Sequence, residues 1–272
     1  MNYVVMMSTN IMAKANRVYK TKVPVTKNQQ VEAEVVDITY QGMGVIKIDN
    51  FPIFVIDAIP GEVVQVGITK VLKSYAFGRV IKRVKASPNR AENVDKVAIT
   101  TGIAPLANLK YEAQLTFKQR QVEQLFKKVN VSVEVNPTIG MTDPTKYRNK
   151  AQVPVQMVNG QLETGFYRRG SHKLMPVEDF YIQDPKVDEA VSVTRDVLRD
   201  LGISAYDEET HKGVVRHIMA RRGFYSHELM VVIITNTKKL PEADNIAAAL
   251  RAKLPELKSF IHNINNHDTN VI

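Results

Sequence analysis

The stretch that decides the fold is VEAEVVDITYQGMGVIKIDNFPIFVIDAIPGEVVQVGITKVLKSYAFGRVIKRV, residues 31–84. Its opening segment, VEAEVVDI, alternates with the period of two that is typical of a half-buried strand. Turn signals then recur, with QGMG at 41–44, DNF at 49–51 and PGE at 60–62. Five or so short strands at this spacing predict a small all-β barrel of the OB-like kind.

The end of this stretch is strongly basic. Between Glu62 and Glu92 the chain has no acidic residue. The bases there are Lys70, Lys73, Arg79, Lys82, Arg83, Lys85 and Arg90, and Tyr75 and Phe77 lie among them. Small barrels commonly hold single-stranded nucleic acid by cations that meet phosphates and rings that stack on bases. The pattern predicts RNA contact, and the alternative is a solvated strand edge whose lysines prevent aggregation.

Beyond the barrel, the sequence predicts a helix, a hairpin and a second helix. YEAQLTFKQRQVEQLFKKV, residues 111–129, is amphipathic with a charged face opposite an apolar stripe. The stripe consists of Leu115, Val122, Leu125, Phe126 and Val129. The dipeptide Asn159-Gly160 predicts a β-hairpin, and Asp184 followed by Pro185 predicts a capped helix start.

Four later segments predict an α+β domain with a mixed or antiparallel sheet. GVVRHIMARRG (213–223), LMVVIIT (229–235) and SFIHNINN (259–266) read as strands, and PEADNIAAALRAKL (241–254) reads as a helix. We therefore divide the chain into four parts. They are a disordered basic leader (1–28), the barrel (29–86), a connector (87–110) and the α+β domain (111–272).

The α+β domain has a second set of candidate RNA-binding residues, in YRNK (147–150), FYRRGSHK (166–173) and RHIMARR (216–222). The candidates are Tyr147, Arg148, Lys150, Arg168, Arg169, His172, Arg216, His217, Arg221 and Arg222. In an extended strand, Arg216 and Arg222 would share one face and His217 and Arg221 the other, so not all four could touch a ligand. A single arginine more often forms a surface salt bridge, but three such segments in one domain favour RNA binding.

The composition excludes several classes of site. The 272 residues carry a net charge of +9, which favours an anionic partner such as nucleic acid, although many basic proteins bind none. The sequence has no cysteine, which excludes disulfides, thiolate metal sites and cysteine nucleophiles, and its six histidines match no metal motif. No nucleotide-binding loop, export signal or long apolar run occurs, so we expect a cytoplasmic protein without membrane contact.

Six segments after the barrel resemble one enzyme family. They are YEAQLTFKQRQVE (111–123), PTIGMTDPTKYRNKAQVPV (137–155), GFYRRGSHKL (165–174), VEDFYIQ (177–183), LGISAYDEETHKGVVRHIMARRG (201–223) and NINNHDTNVI (263–272). They resemble the central domain of the uracil-C5 RNA methyltransferases, which modify 23S rRNA or tRNA. Residues 31–84 resemble the TRAM domain that delivers RNA to modification enzymes. The 23S rRNA branch is more similar, because the tRNA branch lacks that barrel, so the resemblance implies 23S rRNA as partner.

The resemblance also raises the question of an iron–sulfur cluster. Many members hold one with four cysteines, and the counterparts here are Asp95, Thr101, Ala104 and Phe180. None of these is a good iron ligand, so we expect no metal and no iron–sulfur cluster.

In the family, the segment that ends in TNVI leads into a C-terminal Rossmann-like domain. That domain holds S-adenosylmethionine, the cysteine that attacks carbon 6 of uracil and the base that deprotonates carbon 5. A chain without cysteine lacks this nucleophile. The sequence therefore predicts a truncated chain without the Rossmann-like domain, which binds no S-adenosylmethionine and docks rRNA for a separate catalytic domain. The alternatives are a stand-alone, non-catalytic RNA-binding or ribosome-assembly protein, or a small-molecule or hydrolytic site hidden in the second domain.

Overall fold

The computed structural model describes residues 23–267. Most of the predicted leader, and the last residues of the terminal segment, lie outside the described residues. Residues 23–28 already belong to the barrel, because Val25 is only 2% exposed in the barrel core and Asn28 N donates to Ile68 O at 2.9 Å.

The first unit is a closed six-stranded sheet. Its strands are β1 (Gln30–Glu34), β2 (Asp37–Ile38), β3 (Met43–Ile48), β4 (Phe51–Ile56), β5 (Val63–Val71) and β6 (Ala76–Lys85). They lie in the order β1-β5-β6-β4-β3-β2, so the two outermost strands follow each other in the chain. Residues 35–36 join them and close the barrel: Val35 N donates to Glu62 O and Val36 N donates to Val45 O, both at 2.9 Å.

The second unit is a mixed sheet covered by two helices. The connector and the α+β domain contain α1 (Lys96–Thr101), α2 (Tyr111–Lys128), β7 (Lys150–Val158), β8 (Gln161–Tyr167), β9 (Leu174–Pro176), α3 (Pro185–Asp200), β10 (Val215–Arg222), β11 (Leu229–Thr235), α4 (Ala243–Lys253) and β12 (Leu257–Ile264). The strand order is β12-β11-β10-β7-β8-β9, and only β11 and β12 run parallel. Alternate strand residues such as Val153, Ile218 and Ile233 form one core with Val191 of α3 and Ile246 of α4.

Local signals place the second unit's turns and helix ends as predicted. Asn159 and Gly160 both have positive φ, 51° and 83°, which the two-residue turn between β7 and β8 requires. The Asp184 carboxylate accepts a hydrogen bond from Lys186 N at 2.8 Å and caps α3, whose first residue is Pro185.

The predicted apolar stripe of α2 does not reach a core. No residue of α2 is buried, and Val122, Leu125 and Val129 are 42%, 61% and 66% exposed. The segment after α2 instead meets the helix through polar contacts, since Gln119 Nε2 donates to Val135 O at 2.9 Å. Amphipathic spacing predicted the helix correctly, but it could not show what covers the apolar face.

Candidate nucleic-acid interface

Three aromatic rings form a platform on the outside of the barrel. In the strand register, Lys70 of β5 lies opposite Phe77 of β6, which in turn pairs with Phe54 of β4. The ring of Phe77 lies 5.5 Å from that of Tyr75 and 6.0 Å from that of Phe54, and the Phe54 and Tyr75 rings are 5.6 Å apart. Each ring is half-buried, so each is held in place while part of it stays open to a ligand.

Five cations of β5, β6 and the turn between these strands are exposed. Lys70, Lys73, Arg79, Lys82 and Lys85 have exposed side chains, and within residues 23–267 none of them forms an ion pair. Together with the platform, they form what we call the barrel face: Phe54, Lys70, Lys73, Tyr75, Phe77, Arg79, Lys82 and Lys85. Free cations beside stacking rings suit single-stranded RNA.

Two predicted RNA-binding arginines serve the fold instead. Arg83 Nε and Arg90 Nε lie 2.8 and 2.6 Å from Glu62 Oε1, and Arg90 Nη1 lies 3.0 Å from Asp57 Oδ1. Burial alone would raise the pKa of Glu62, but hydrogen bonds from Arg90 and Ile59 N and the charges of both arginines lower it. These guanidinium groups neutralise a fully buried carboxylate, so we leave them out of the proposed RNA site.

The basic residues of the second unit also differ in whether they are free to contact RNA. Arg222 is paired with Glu256 at 2.7 Å and with Asp184 at 3.2 Å. Arg221 and Lys150 are exposed, have no ion pair among the described residues and lie directly opposite each other in the sheet. Like charges in that position destabilise a sheet, so the pair favours an anion between them.

The remaining candidates near these strands are mostly held by the fold. Arg148 Nε donates to Lys150 O at 2.9 Å, and Arg169 Nη2 donates to Gln41 O of the barrel at 2.9 Å. Burial lowers the pKa of Arg169. Tyr147 is 53% exposed and Arg168 is exposed, so both stay available for contact.

A cavity of about 1040 Å³ brings together the other two candidate segments. Arg216 and His172 line it, together with Tyr167 and Glu208, which the sequence did not single out as ligand-binding residues. The register of β10 shifts between Val215 and His217, so simple alternation could not place Arg216.

His217 lies near the cavity but brings no charge to it. Burial, and then the charge of Arg216, lowers the pKa of His217 to about 4. The imidazole is therefore neutral at neutral pH, and a phosphate contact through a charged His217 is not available.

The four residues that stand at the family's cysteine positions do not fit an iron–sulfur cluster. The Asp95 carboxylate caps α1 by accepting from Val97 N at 2.8 Å, and Thr101 Oγ1 donates to Val97 O at 2.7 Å. Ala104 packs beside the small core of α1, and Phe180 is 1% exposed, with its ring 4.9 Å from that of Phe166. Within residues 23–267, no group of three or more His, Cys, Asp or Glu side chains is arranged to hold a metal ion.

Comparison with known proteins identifies the barrel. Residues 24–81 match the TRAM domain. The barrel is therefore a TRAM domain, as its resemblance predicted. Among the described helices, none combines the length and apolar character needed to cross a membrane.

The chain as a whole is similar to RNA methyltransferases. It is 54% identical over 254 residues to an uncharacterized RNA methyltransferase of Lactiplantibacillus plantarum, which covers 93% of this chain and 56% of that protein. It is 44% identical over 251 residues to another from Enterococcus faecalis, covering 92% of this chain and 55% of that protein. The chain therefore spans a little over half the length of these relatives.

A solved structure shares the fold. The tRNA (uracil-54, C5)-methyltransferase of Pyrococcus abyssi, in complex with S-adenosyl-L-homocysteine, matches with a TM-score of 0.62 at 20% identity. The match covers 88% of this chain and 52% of that one. At this identity the likeness concerns the fold alone.

These findings correct two predictions. The predicted fold class is wrong in defining the chain by a missing Rossmann-like domain, because 88% of the chain has its counterpart in a methyltransferase structure. The barrel and the mixed α+β sheet themselves are present as predicted. The predicted function, a truncated RNA-docking fragment or a non-catalytic binder, is also wrong, because similarity to RNA methyltransferases extends over 93% of the chain. Both predictions depended on where the sequence ends, a position that says nothing about fold or activity, and the functional one depended also on the absence of cysteine.

Proposed function

We propose that this protein takes part in methylating carbon 5 of uridine in 23S rRNA in the cytoplasm, and that the barrel face binds the RNA. The row formed by Lys70, Phe77 and Phe54 carries the second part of the proposal, because it places a free cation beside stacking rings. Similarity to RNA methyltransferases supports the reaction. The exposed residues Tyr147, Lys150, Arg168 and Arg221 extend the proposed contact to the second unit.

S-adenosylmethionine would supply the methyl group in this reaction. Between residues 23 and 267, no strand leads through a glycine-rich turn into a helix, which is the arrangement that cradles nucleotide-like cofactors. We therefore propose no contact between these residues and the methyl donor.

The barrel face is tested by reversing two of its free charges. Lys82→Glu with Lys85→Glu should weaken binding to a single-stranded rRNA segment, because each lost phosphate contact lowers the slope of log affinity against log salt by about 0.7. The control is Lys238→Glu with Lys239→Glu, which makes the same charge change at two exposed residues away from the barrel. Arg83 is left intact because it neutralises Glu62.

Fluorescence anisotropy over a range of salt concentrations measures both slopes. The slope of log affinity against log salt should be smaller in magnitude by about 1.4 for the barrel variant than for the control. Equal losses in the two variants would show that overall charge, and not the barrel face, governs binding.

The target RNA is tested in cells. Deleting the gene for this protein should remove 5-methyluridine from 23S rRNA, and restoring the gene should return it, as measured by mass spectrometry of nuclease digests. A second candidate substrate is tRNA, because the methyltransferase with the shared fold carries tRNA in its name. If 5-methyluridine disappears from tRNA alone, the substrate is tRNA and not 23S rRNA. If it disappears from neither RNA, the proposed reaction is refuted.

A further inference from the structure

The cavity of about 1040 Å³ in the second unit has a lining that the barrel face does not share. It lies between the end of β8, with the loop that follows it, and the loop around residues 207–211, and no barrel residue lines it. Its volume is that of a small-molecule or nucleotide site.

Arg216 is the most unusual group in this lining. It is only 5% exposed, and among residues 23–267 it forms no ion pair. Its Nη1 donates to Asn265 O at 3.0 Å and to His267 O at 2.6 Å, and its guanidinium lies 4.8 Å from the centre of the Tyr206 ring. Nε and Nη2 donate to no described residue. A buried cation without a counter-charge is costly, so these two donors favour a ligand that offers two acceptors.

A carboxylate also lines this cavity. Glu208 Oε2 is 3.1 Å from His172 Nδ1, which leaves Oε1 without a hydrogen-bond partner among the described residues. Asp207 does not compete for a ligand, because its Oδ1 accepts from the backbone N–H groups of Glu209 and Thr210 at 2.9 and 2.8 Å. Lys173 and Glu209 also line the cavity, which therefore carries both charges. Within this lining, the Nε and Nη2 groups of Arg216 and the Oε1 atom of Glu208 have no hydrogen-bond partner among the described residues.

Rings complete the lining. The Tyr167 and His172 rings lie with their centres 6.1 Å apart, and burial, followed by the charge of Glu208, raises the pKa of Tyr167. Tyr167 therefore stays neutral and offers a stacking surface. A carboxylate and a guanidinium in the same lining disfavour a bare phosphate and favour a flat ligand that carries both acceptors and N–H donors.

We propose that this cavity holds one unpaired guanine of the RNA substrate. Arg216 would donate to the N7 and O6 acceptors, which is the commonest base-specific contact of arginine. Through its Oε1 atom, Glu208 would accept from the N1–H group on the adjacent Watson–Crick edge. Adenine presents an amino group where guanine has O6, and pyrimidines lack the paired acceptors, so Arg216 discriminates against them. This inference rests on the proposed function as an RNA-binding protein.

The test uses short uridine-rich single strands that differ only in one central base, which is guanine, adenine, cytosine or uracil. Fluorescence anisotropy at fixed salt should give about tenfold tighter binding for the guanine strand than for the adenine strand. Glu208→Gln should reduce this preference below about threefold. The control, Glu228→Gln, removes a charge from an exposed residue without an ion pair among the described residues, and should leave the preference unchanged.

A second variant probes the other edge of the base. Arg216→Lys keeps the charge but loses the planar fork, so it should also abolish the preference for guanine. Circular dichroism checks whether the Arg216→Lys variant is folded. If it is not, Glu208→Gln tests the proposal alone, because Glu208 is exposed.

The outcomes separate the two proposals. Equal affinity for all four strands, with the usual salt dependence, would refute the guanine site and leave the proposed function intact. A guanine preference that survives Glu208→Gln would also refute it. If no strand binds even at low salt, both the proposed function and the guanine site fail.

Discussion

Asp188 should make the second unit more stable in mild acid than at neutral pH. The residue is 6% exposed on α3. Its Oδ2 accepts from Phe180 N at 3.1 Å, and its Oδ1 accepts from Gln183 Nε2 at 2.6 Å. Burial raises the pKa of Asp188 to about 6, and these hydrogen bonds and the charge of Lys146 offset burial only in part.

The direction of this pH effect follows from the protonation of Asp188 in the folded and the unfolded states. Near pH 5 the folded protein holds a proton on Asp188, whereas the unfolded chain, with a pKa of 3.8, has lost it. The stabilisation that Asp188 gives the folded state is therefore complete below the unfolded pKa and is lost as the pH rises through about 6. Between those two values, roughly 1.4 kcal/mol for each pH unit gives a loss of about 3 kcal/mol.

Asp188→Asn removes the titration. The amide can accept only one of the two hydrogen bonds, but that cost is the same at every pH. The free energy of unfolding of the natural protein minus that of the variant should therefore fall by about 2 kcal/mol between about pH 4.5 and 7.5. Urea unfolding followed by far-ultraviolet circular dichroism reports on α3 and α4, which both lie in this unit.

The matched control is Asp200→Asn at the exposed end of α3, where the side chain is 73% exposed. Its profile should run parallel to that of the natural protein. If the Asp188→Asn profile also runs parallel, the buried carboxyl does not hold its proton and the reasoning is refuted.

Two further substitutions test the barrel and α2. Glu62→Gln removes the buried one of the two carboxylates that Arg83 and Arg90 share, the other being Asp57, and should lower the free energy of unfolding by about 3 kcal/mol or more in urea titrations. A loss below about 1 kcal/mol would show that the cluster does not stabilise the barrel. Leu125→Gln, at a residue that is 61% exposed on α2, should change the same quantity by less than about 0.5 kcal/mol, and a larger loss would mean that the stripe is covered.

Much of the secondary structure follows from local rules. The turn at Asn159-Gly160 and the cap at Asp184 were predicted because each depends on a few adjacent residues. The strand over residues 229–235 was predicted because an apolar run of that length suits a buried strand. Closure of the barrel needs residues 35–36 to pair with Glu62 on one side and with Val45 on the other, and the sequence pattern does not encode this double pairing.

The candidate site was predicted less completely, because a basic side chain is available to RNA only if no carboxylate distant in the sequence pairs with it. Arg90 pairs with Glu62, 28 residues away, and Arg222 pairs with Glu256, 34 residues away. No local pattern distinguishes these arginines from the free lysines of the barrel face. Phe54 was missed for the same reason, since it joins Phe77 only through a parallel strand pair.

The different uses of the basic side chains link the two proposed RNA contacts. A guanidinium makes several hydrogen bonds in a fixed plane, so the fold uses Arg83, Arg90 and Arg222 to neutralise carboxylates, whereas a lysine loses more freedom for each bond. The exposed lysines can then supply affinity that depends on salt and hardly on sequence. Arg216 has the fork but no carboxylate partner among the described residues, which makes it the group best suited to read a base. Affinity and base preference should therefore be separable: substitutions on the barrel face change the first, and substitutions in the cavity change the second.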